Sequence, residues 1–179
     1  GTGDDVITVS GVTTGAIIDL GGGDDQLRFS GAATATVRNV ETITGSGSND
    51  TITIGSQATG GVIDLGLGRD TLRLGAYDNT VTVTNAETIF GNTGDDVVVL
   101  RGATSGVVLD LGAGQDTLTF ASGTTATVSN VEVLIGSSVI DSVVLDSRIT
   151  GGVIALGAGA DSLTLGAYVN TLTVSNVED

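Results

Sequence analysis

Short alternations of apolar and polar residues run through the whole chain and predict β-strands. Segment 71–74 reads Thr-Leu-Arg-Leu and segment 117–120 reads Thr-Leu-Thr-Phe, and many other segments share this two-residue period. Such a period is typical of strands that bury one face and expose the other. No stretch has the helical period of an amphipathic segment. We therefore predict an all-β fold.

Aspartates recur beside these alternations at regular intervals. Each closes a turn rich in small residues, and the successive intervals are 20, 25, 20, 26, 20, 25 and 20 residues. A repeat of this length that holds one or two strands is typical of a solenoid, in which each repeat is one coil. We predict a parallel β-solenoid, β-roll-like or β-helix-like, of about eight coils. These ladder aspartates are Asp5, Asp25, Asp50, Asp70, Asp96, Asp116, Asp141 and Asp161.

Two kinds of coil alternate and together form a unit of about 45 residues. The predicted repeats are 1–44, 45–90, 91–135 and 136–179, within a single solenoid domain that spans 1–179. A longer period of 91 residues relates Phe29 to Phe120 and segment 75–77 to segment 166–168, so alternate repeats resemble each other. Because repeats fill the chain, we expect it to be a segment of a longer array.

The composition excludes several functional classes. The chain has 21 acidic and six basic residues and a net charge of −15, whereas phosphate binding requires clustered Lys and Arg. We therefore expect no nucleic-acid partner. The apolar runs are too short to span a bilayer, so we expect no membrane insertion. Cys and His are absent, and the paired carboxylates recur in every coil although a catalytic pair should occur once, so we expect no enzymatic activity.

The glycine-rich turns before the ladder aspartates are candidate calcium sites. Glycine permits bends that bring carbonyl oxygens together, and Asp adds a charged oxygen. Calcium takes about six to eight oxygens, so we predict ions between turns of stacked coils, up to about seven in number. The alternative is that each Asp only caps its turn by bonding the backbone. The predicted ligands are the eight ladder aspartates and the backbone carbonyls of Gly3, Gly23, Gly47, Gly68, Gly94 and Gly114.

The best-formed turns resemble those of a known family. Segment 91–96 reads Gly-Asn-Thr-Gly-Asp-Asp and segment 1–5 reads Gly-Thr-Gly-Asp-Asp. These turns resemble the RTX, or haemolysin-type calcium-binding, repeats of secreted bacterial surface proteins. The resemblance implies a calcium-binding β-roll and a location outside the cell, on a bacterial surface of the S-layer or adhesin type.

The chain departs from the RTX pattern in three respects. The coil is longer than the nine-residue half-turn usual in that family, so we expect Gly–Asp turns, and calcium, along one edge only. Turns 136–141 and 156–161 are degraded, and we expect weaker or missing calcium near the C-terminal end. Four turns also carry a leucine in place of the leading glycine, namely Leu20, Leu65, Leu111 and Leu156.

Three further sets of polar residues recur with the repeats. The asparagines are expected to form buried bends with hydrogen-bonded side-chain amides. The glutamates are expected to lie on a solvated face, with a role as auxiliary cation ligands as the alternative. The aspartates are expected to point outward, with a second cation-ligand role as the alternative. The sets are Asn39, Asn85, Asn130 and Asn176; Glu41, Glu87, Glu132 and Glu178; and Asp19, Asp64 and Asp110.

Together these features predict a calcium-stabilised structural module, an extender of an S-layer protein, adhesin or extracellular fibre. Its expected partners are like modules, bound end to end or laterally, with a glycan or cell surface as the alternative. Two other functions remain open: accessory repeats of a secreted enzyme, or an ice- or glycan-binding face. That face would use the Thr-x-Thr pairs Thr51/Thr53, Thr82/Thr84, Thr117/Thr119 and Thr171/Thr173.

Overall fold

The computed structural model describes residues 1–102 and 104–178, and its regular elements over these residues are all β-strands. They form two parallel sheets, one of ten strands and one of nine. The predicted all-β, parallel β-solenoid is therefore confirmed. Within the described residues no helix is long and apolar enough to cross a membrane.

Odd-numbered strands form sheet 1 and even-numbered strands form sheet 2, and each strand pairs in parallel with the strand two places later. The strands of sheet 1 are β1 (Val6–Val9), β3 (Gln26–Phe29), β5 (Thr42–Ser46), β7 (Thr59–Gly66), β9 (Thr80–Thr84), β11 (Val97–Arg101), β13 (Thr117–Phe120), β15 (Val133–Ile135), β17 (Thr150–Ala155) and β19 (Thr171–Ser175). The strands of sheet 2 are β2 (Thr13–Asp19), β4 (Ala33–Arg38), β6 (Thr51–Ile54), β8 (Thr71–Arg73), β10 (Thr88–Phe90), β12 (Thr104–Asp110), β14 (Thr124–Ser129), β16 (Ser142–Leu145) and β18 (Ser162–Leu165).

The core is a narrow aliphatic layer between the two sheets. In β3, Leu27 and Phe29 are buried while Gln26 and Arg28 are exposed. The parallel register places Leu27 beside Ile43 of β5, so like residues stack in columns along the solenoid. This burial stabilises the sheets through the hydrophobic effect, and it also fixes which side chains face outward.

Each of the first three repeats contains five strands and the fourth contains four, and the odd number sets the symmetry of the molecule. One strand with its turn occupies about nine residues, so a coil of two strands consists of two half-turns of that length. Residues one repeat apart are separated by five strands and therefore lie in opposite sheets. Residues 91 apart are separated by ten strands and therefore lie in the same sheet. Phe29 and Phe120 accordingly both lie in sheet 1, at the ends of β3 and β13.

The turns lie on two edges of the solenoid. We call the edge where the chain passes from sheet 1 to sheet 2 the forward edge, and the opposite one the return edge. Asp25 and Asp116 precede β3 and β13 on the return edge, whereas Asp70 and Asp161 precede β8 and β18 on the forward edge. The expectation of Gly–Asp turns along one edge is therefore wrong, because an interval of 25 or 26 residues crosses three strands.

Candidate functional site: stacked carboxylates at the turns

Acidic residues from three successive turns on one edge form a set that we call a carboxylate cassette. The first and third cassettes lie on the return edge, and the second and fourth lie on the forward edge. The four cassettes are, in order, Asp5, Asp25 and Glu41; Asp50, Asp70 and Glu87; Asp96, Asp116 and Glu132; and Asp141, Asp161 and Glu178.

The ladder aspartates point inward beneath their turns. The seven from Asp25 to Asp161 are each at most 2% exposed, whereas the side chain of Asp5 is 43% exposed. Among the described residues the only ion pair joins Asp5 to the N-terminal amine. The buried carboxylates therefore have no basic side chain beside them, and backbone groups must solvate their charge.

Backbone N–H groups supply part of this solvation through bonds that run from coil to coil. In the second cassette the Asp50 N–H donates to Asp70 Oδ1 at 2.7 Å, and the Asp70 N–H donates to Glu87 Oε2 at 2.7 Å. The other cassettes repeat both bonds, at 2.7 to 3.0 Å. The turn-capping alternative expected bonds within the turn of each Asp, whereas these bonds join neighbouring coils.

The glutamates close each cassette. Three of them are half-buried and Glu178 is exposed, and in all four one oxygen accepts the amide N–H of the Asp in the preceding coil. The signal in the sequence is the interval of 16 or 17 residues between the second Asp of each cassette and the glutamate, as in Asp70 and Glu87. That interval is one coil of the solenoid and brings the two residues into register.

The second carboxylate oxygen is satisfied in some turns and not in others. Asp50 Oδ2 accepts the Ser46 N–H at 2.7 Å, and Asp141 Oδ2 accepts the Ser137 N–H at 2.7 Å. Five other buried oxygens have no donor among the described residues. They are the Oδ2 atoms of Asp25, Asp70, Asp96, Asp116 and Asp161.

Three of the buried carboxyls, those of Asp70, Asp96 and Asp116, have a raised pKa. Burial, together with the charges of Asp50 and Glu87, raises the pKa of Asp70 to about 6. Burial, with the nearby charges of Asp96 and Glu132, raises the pKa of Asp116 to about 6. The pKa of Asp96 is also raised, mainly by burial. At neutral pH the charged cassettes are therefore electrostatically unfavourable in the absence of a cation.

The predicted glycine positions explain how closely the turns stack. A Cβ at Gly114 would lie 2.1 Å from the carbonyl oxygen of Gly94, and one at Gly23 would lie 2.7 Å from that of Gly3. A Cβ at Gly68 would lie 2.8 Å from Asp70 Oδ1, whereas Gly47 faces open space. Close backbone approach therefore accounts for Gly23, Gly68 and Gly114. Their role as carbonyl ligands stays a prediction.

The geometry changes the expected number of cation sites. Three of the seven intervals in the Asp ladder join opposite edges, so only the four pairs separated by 20 residues are neighbours. The expectation of one ion in each of the seven intervals is therefore wrong, and four Asp pairs remain as candidate sites. Within residues 1–102 and 104–178 no three His, Cys, Asp or Glu side chains are grouped closely enough to hold a metal by themselves. A calcium site would need carbonyl oxygens in addition to an Asp pair.

The recurring asparagines form bends, as expected, with left-handed backbone φ angles of 52° to 54°. The expectation that they are buried is wrong, because Asn39, Asn85 and Asn176 are exposed and Asn130 is half-buried. The side-chain amides of Asn39, Asn85 and Asn130 donate to Oδ1 of the aspartate one coil earlier at 2.7, 2.8 and 2.6 Å. Those acceptors are Asp19, Asp64 and Asp110. This role accounts for the outward aspartates without a cation. The fourth member of the series, Asn176, faces a repeat in which residue 155 is Ala.

The Thr-x-Thr pairs do not share one face. Thr51 and Thr53 lie in β6 of sheet 2, whereas the other three pairs lie in sheet 1. A different column of hydroxyls, which the sequence analysis missed, follows the register of sheet 2 and ends where Val108 takes the next place. It consists of Thr14, Thr34, Thr51, Thr71 and Thr88.

Comparison with known proteins adds no family to this description. No protein-family model, curated protein or solved structure matches the chain.

Proposed function

We propose that this chain is a structural extender module of a secreted bacterial surface protein, an S-layer protein, adhesin or extracellular fibre, stabilised by calcium. The supporting observation is the set of five buried carboxylate oxygens that have no hydrogen-bond donor among the described residues. A divalent cation would compensate such oxygens, because it supplies charge and coordination together. The likeness of the Gly–Asp turns to RTX repeats supports calcium as that cation.

The donor chemistry fits calcium. Each neighbouring Asp pair offers carboxylate oxygens next to glycine-rich turns, and calcium prefers an all-oxygen ligand set. The residues that would hold the ions are the pairs Asp5/Asp25, Asp50/Asp70, Asp96/Asp116 and Asp141/Asp161, with the carbonyls of Gly3, Gly23, Gly47, Gly68, Gly94 and Gly114. Weaker binding is expected in the second and fourth cassettes, where the Ser46 and Ser137 N–H groups already satisfy Oδ2 of Asp50 and Asp141.

The physical role of calcium would be to favour the folded solenoid. Without a cation, the net charge of −15 and the stacked carboxylates oppose compaction. An ion that binds only the folded state stabilises it by mass action, by about 2.7 kcal/mol when free calcium is 100 times the dissociation constant. The solenoid would then be stiff where calcium is abundant, as it is outside cells, and open where calcium is scarce.

The test compares Asp70→Asn with Asp146→Asn, which removes the same charge from an exposed turn. The amide introduced by Asp70→Asn keeps an oxygen to accept the Asp50 N–H but replaces the oxygen that has no donor. In EGTA we expect Asp70→Asn to melt at or above the wild-type temperature, because a buried charge is lost. In millimolar calcium, wild type and Asp146→Asn should gain several degrees, and Asp70→Asn should gain less.

Calorimetric titration and circular dichroism complete the test. Uptake of calcium with release of heat, and β content that rises with calcium, are the expected results. The proposal fails if wild type takes up no calcium and its melting temperature is the same in calcium and in EGTA. Equal calcium responses of the two variants would instead remove the second cassette from the proposed sites.

A further inference from the structure

A recess of about 350 Å³ opens on the outer face of sheet 2, where strands β6, β8, β10 and β12 end near the return edge. Its polar side chains are those of Thr53, Arg73, Asn92 and Asp110, and Leu74 and Phe90 form its apolar part. Volumes of this order hold small ligands in proteins. The recess lies on the sheet face, and none of the cassette residues lines it.

An aromatic ring on the outer face distinguishes this recess from the rest of the solenoid. Phe29 and Phe120, the other two phenylalanines, are buried in the core. In β10, by contrast, Ile89 points inward and Phe90 therefore points outward. The guanidinium of Arg73 lies 4.2 Å from the centre of the Phe90 ring. This stacking holds the guanidinium flat against the sheet while its N–H groups stay available.

The charged groups of the recess have unused hydrogen-bonding capacity within the described residues. Arg73 makes no ion pair there, since the only one is at the N-terminus. Asp110 Oδ1 accepts the Asn130 amide at 2.6 Å, which fixes the carboxylate in place. The Oδ2 atom of Asp110 has no described donor. Thus the recess presents N–H donors on one side of Phe90 and a fixed acceptor on the other.

We infer that this recess binds a neutral polyhydroxylated ring, the size of a hexose unit of a glycan. Arg73 and Asp110 lie on the two strands that flank β10, so their backbones are about 10 Å apart. A hydroxyl group both donates and accepts, so one sugar ring satisfies the carboxylate and the guanidinium together. An anion is repelled by Asp110 and by the net charge of −15, and a cation is repelled by Arg73.

A second site in the same protein provides a natural control. The residues of sheet 1 that pair in the equivalent order are Thr8, Arg28, Thr44 and Asp64. In this row Thr8, Arg28 and Asp64 correspond to Thr53, Arg73 and Asp110, and Thr44 takes the place of Phe90. It therefore lacks the ring that supports the guanidinium. Substitution of Phe90 by Thr should be tolerated by the fold, since the same register holds Thr in sheet 1.

The experiment titrates the isotope-labelled chain, in calcium, with the methyl glycosides of galactose, glucose and mannose and follows backbone amide shifts by NMR. We expect at least one glycoside to bind with saturable shifts at Asn92 and Asp110. Phe90→Thr and Arg73→Thr should each weaken that binding by about tenfold or more. Arg28→Thr, the matched change in sheet 1, should leave it unchanged.

Three outcomes would overturn the inference. The first is that none of the glycosides binds, and the second is that Arg28→Thr weakens binding as much as Arg73→Thr. The third is that galacturonate or free arginine binds more tightly than every neutral glycoside. If Phe90→Thr fails to fold by circular dichroism, Arg73→Thr carries the comparison alone, because Arg73 is exposed and makes no core contact.

Discussion

A cassette carboxylate uses its two oxygens differently, and this determines how it responds to protons and cations. In Asp70 and Asp116 one oxygen accepts a backbone N–H at 2.7 or 2.8 Å, while the other is buried without a donor. A proton on the second oxygen removes the charge, and a cation would compensate it. Protons and calcium are therefore expected to compete for the same atoms.

The first prediction concerns pH. The folded-state pKa of Asp70 and Asp116 is about 6, above the ordinary value of 3.8. The folded chain therefore binds protons that the unfolded chain does not, and stability rises as pH falls through that range. In EGTA we expect the urea midpoint to be higher at about pH 5 than at about pH 7. Chemical denaturation followed by circular dichroism measures this.

The control for pH is the double variant Asp70→Asn with Asp116→Asn, which keeps the N–H acceptors but removes the two titrating groups. Its midpoint should change less between the two pH values than the wild-type midpoint does. A wild-type midpoint that falls on acidification to pH 5, or a double variant with the wild-type pH response, would contradict the assignment of raised pKa values to these two residues.

Two kinds of turn recur between the strands, among others, and each of the two is explained by one backbone requirement. The glycine-rich turns ending in Asp stack too closely for a Cβ, as at Gly114. The shorter turns that begin with Asn need a left-handed residue, and Asn85 adopts a φ of 53°. Its amide then ties the turn to Asp64 of the coil before at 2.8 Å. The second kind thus links neighbouring coils without a cation.

Two substitutions at Asn85 separate the effect of the left-handed backbone angle on stability from that of the side-chain hydrogen bond to Asp64. Asn85→Gly loses the bond to Asp64 but accommodates the left-handed angle, whereas Asn85→Ala loses the bond and is strained as well. We expect Asn85→Ala to be less stable than Asn85→Gly by about 1 kcal/mol. Urea denaturation at fixed calcium concentration measures the difference. Equal stabilities would show that the left-handed angle is not required there.

At the scale of the whole molecule, the odd number of strands in each of the first three repeats distributes the cassettes over both edges. Residues one repeat apart occupy opposite sheets, and residues 91 apart occupy the same sheet. Repulsion between cassettes is thereby reduced, since successive cassettes do not stack on one edge. The repeating unit of the architecture is consequently the pair of repeats.

Deletions test whether the pair is the structural unit. Removal of residues 45–135 joins Thr44 to Gly136 and leaves every remaining residue in its original sheet. Removal of residues 45–90 joins Thr44 to Gly91 and moves all later residues to the opposite sheet. We expect the longer deletion to retain the higher urea midpoint, although a shorter solenoid normally loses stability. Its length should fall by about 24 Å, measured by small-angle scattering.

A higher urea midpoint for the 45–90 deletion would contradict the assignment of the pair of repeats as the structural unit. It would show that the strands of one repeat are equally stable in either sheet. Circular dichroism of both deletions serves as the check that each still forms strands.

The sequence by itself determined the strands, the solenoid repeat and the conformation of some turns. The alternation in segments such as 71–74 specifies strands with one buried face, because the two-residue period follows from backbone geometry. The Asp intervals specify a solenoid, and the left-handed asparagines follow from turn chemistry. These features are local or periodic, so they can be read along the chain.

Only the tertiary structure decided which residues meet. Whether Asp25 and Asp50 are neighbours depends on how many strands lie between them, and the odd count places them on opposite edges. The bonding of Glu87 to the amide of Asp70, and the stacking of Arg73 on Phe90, likewise depend on the register between coils. Register is set by the packing of the core against both sheets, and a one-dimensional pattern does not contain it.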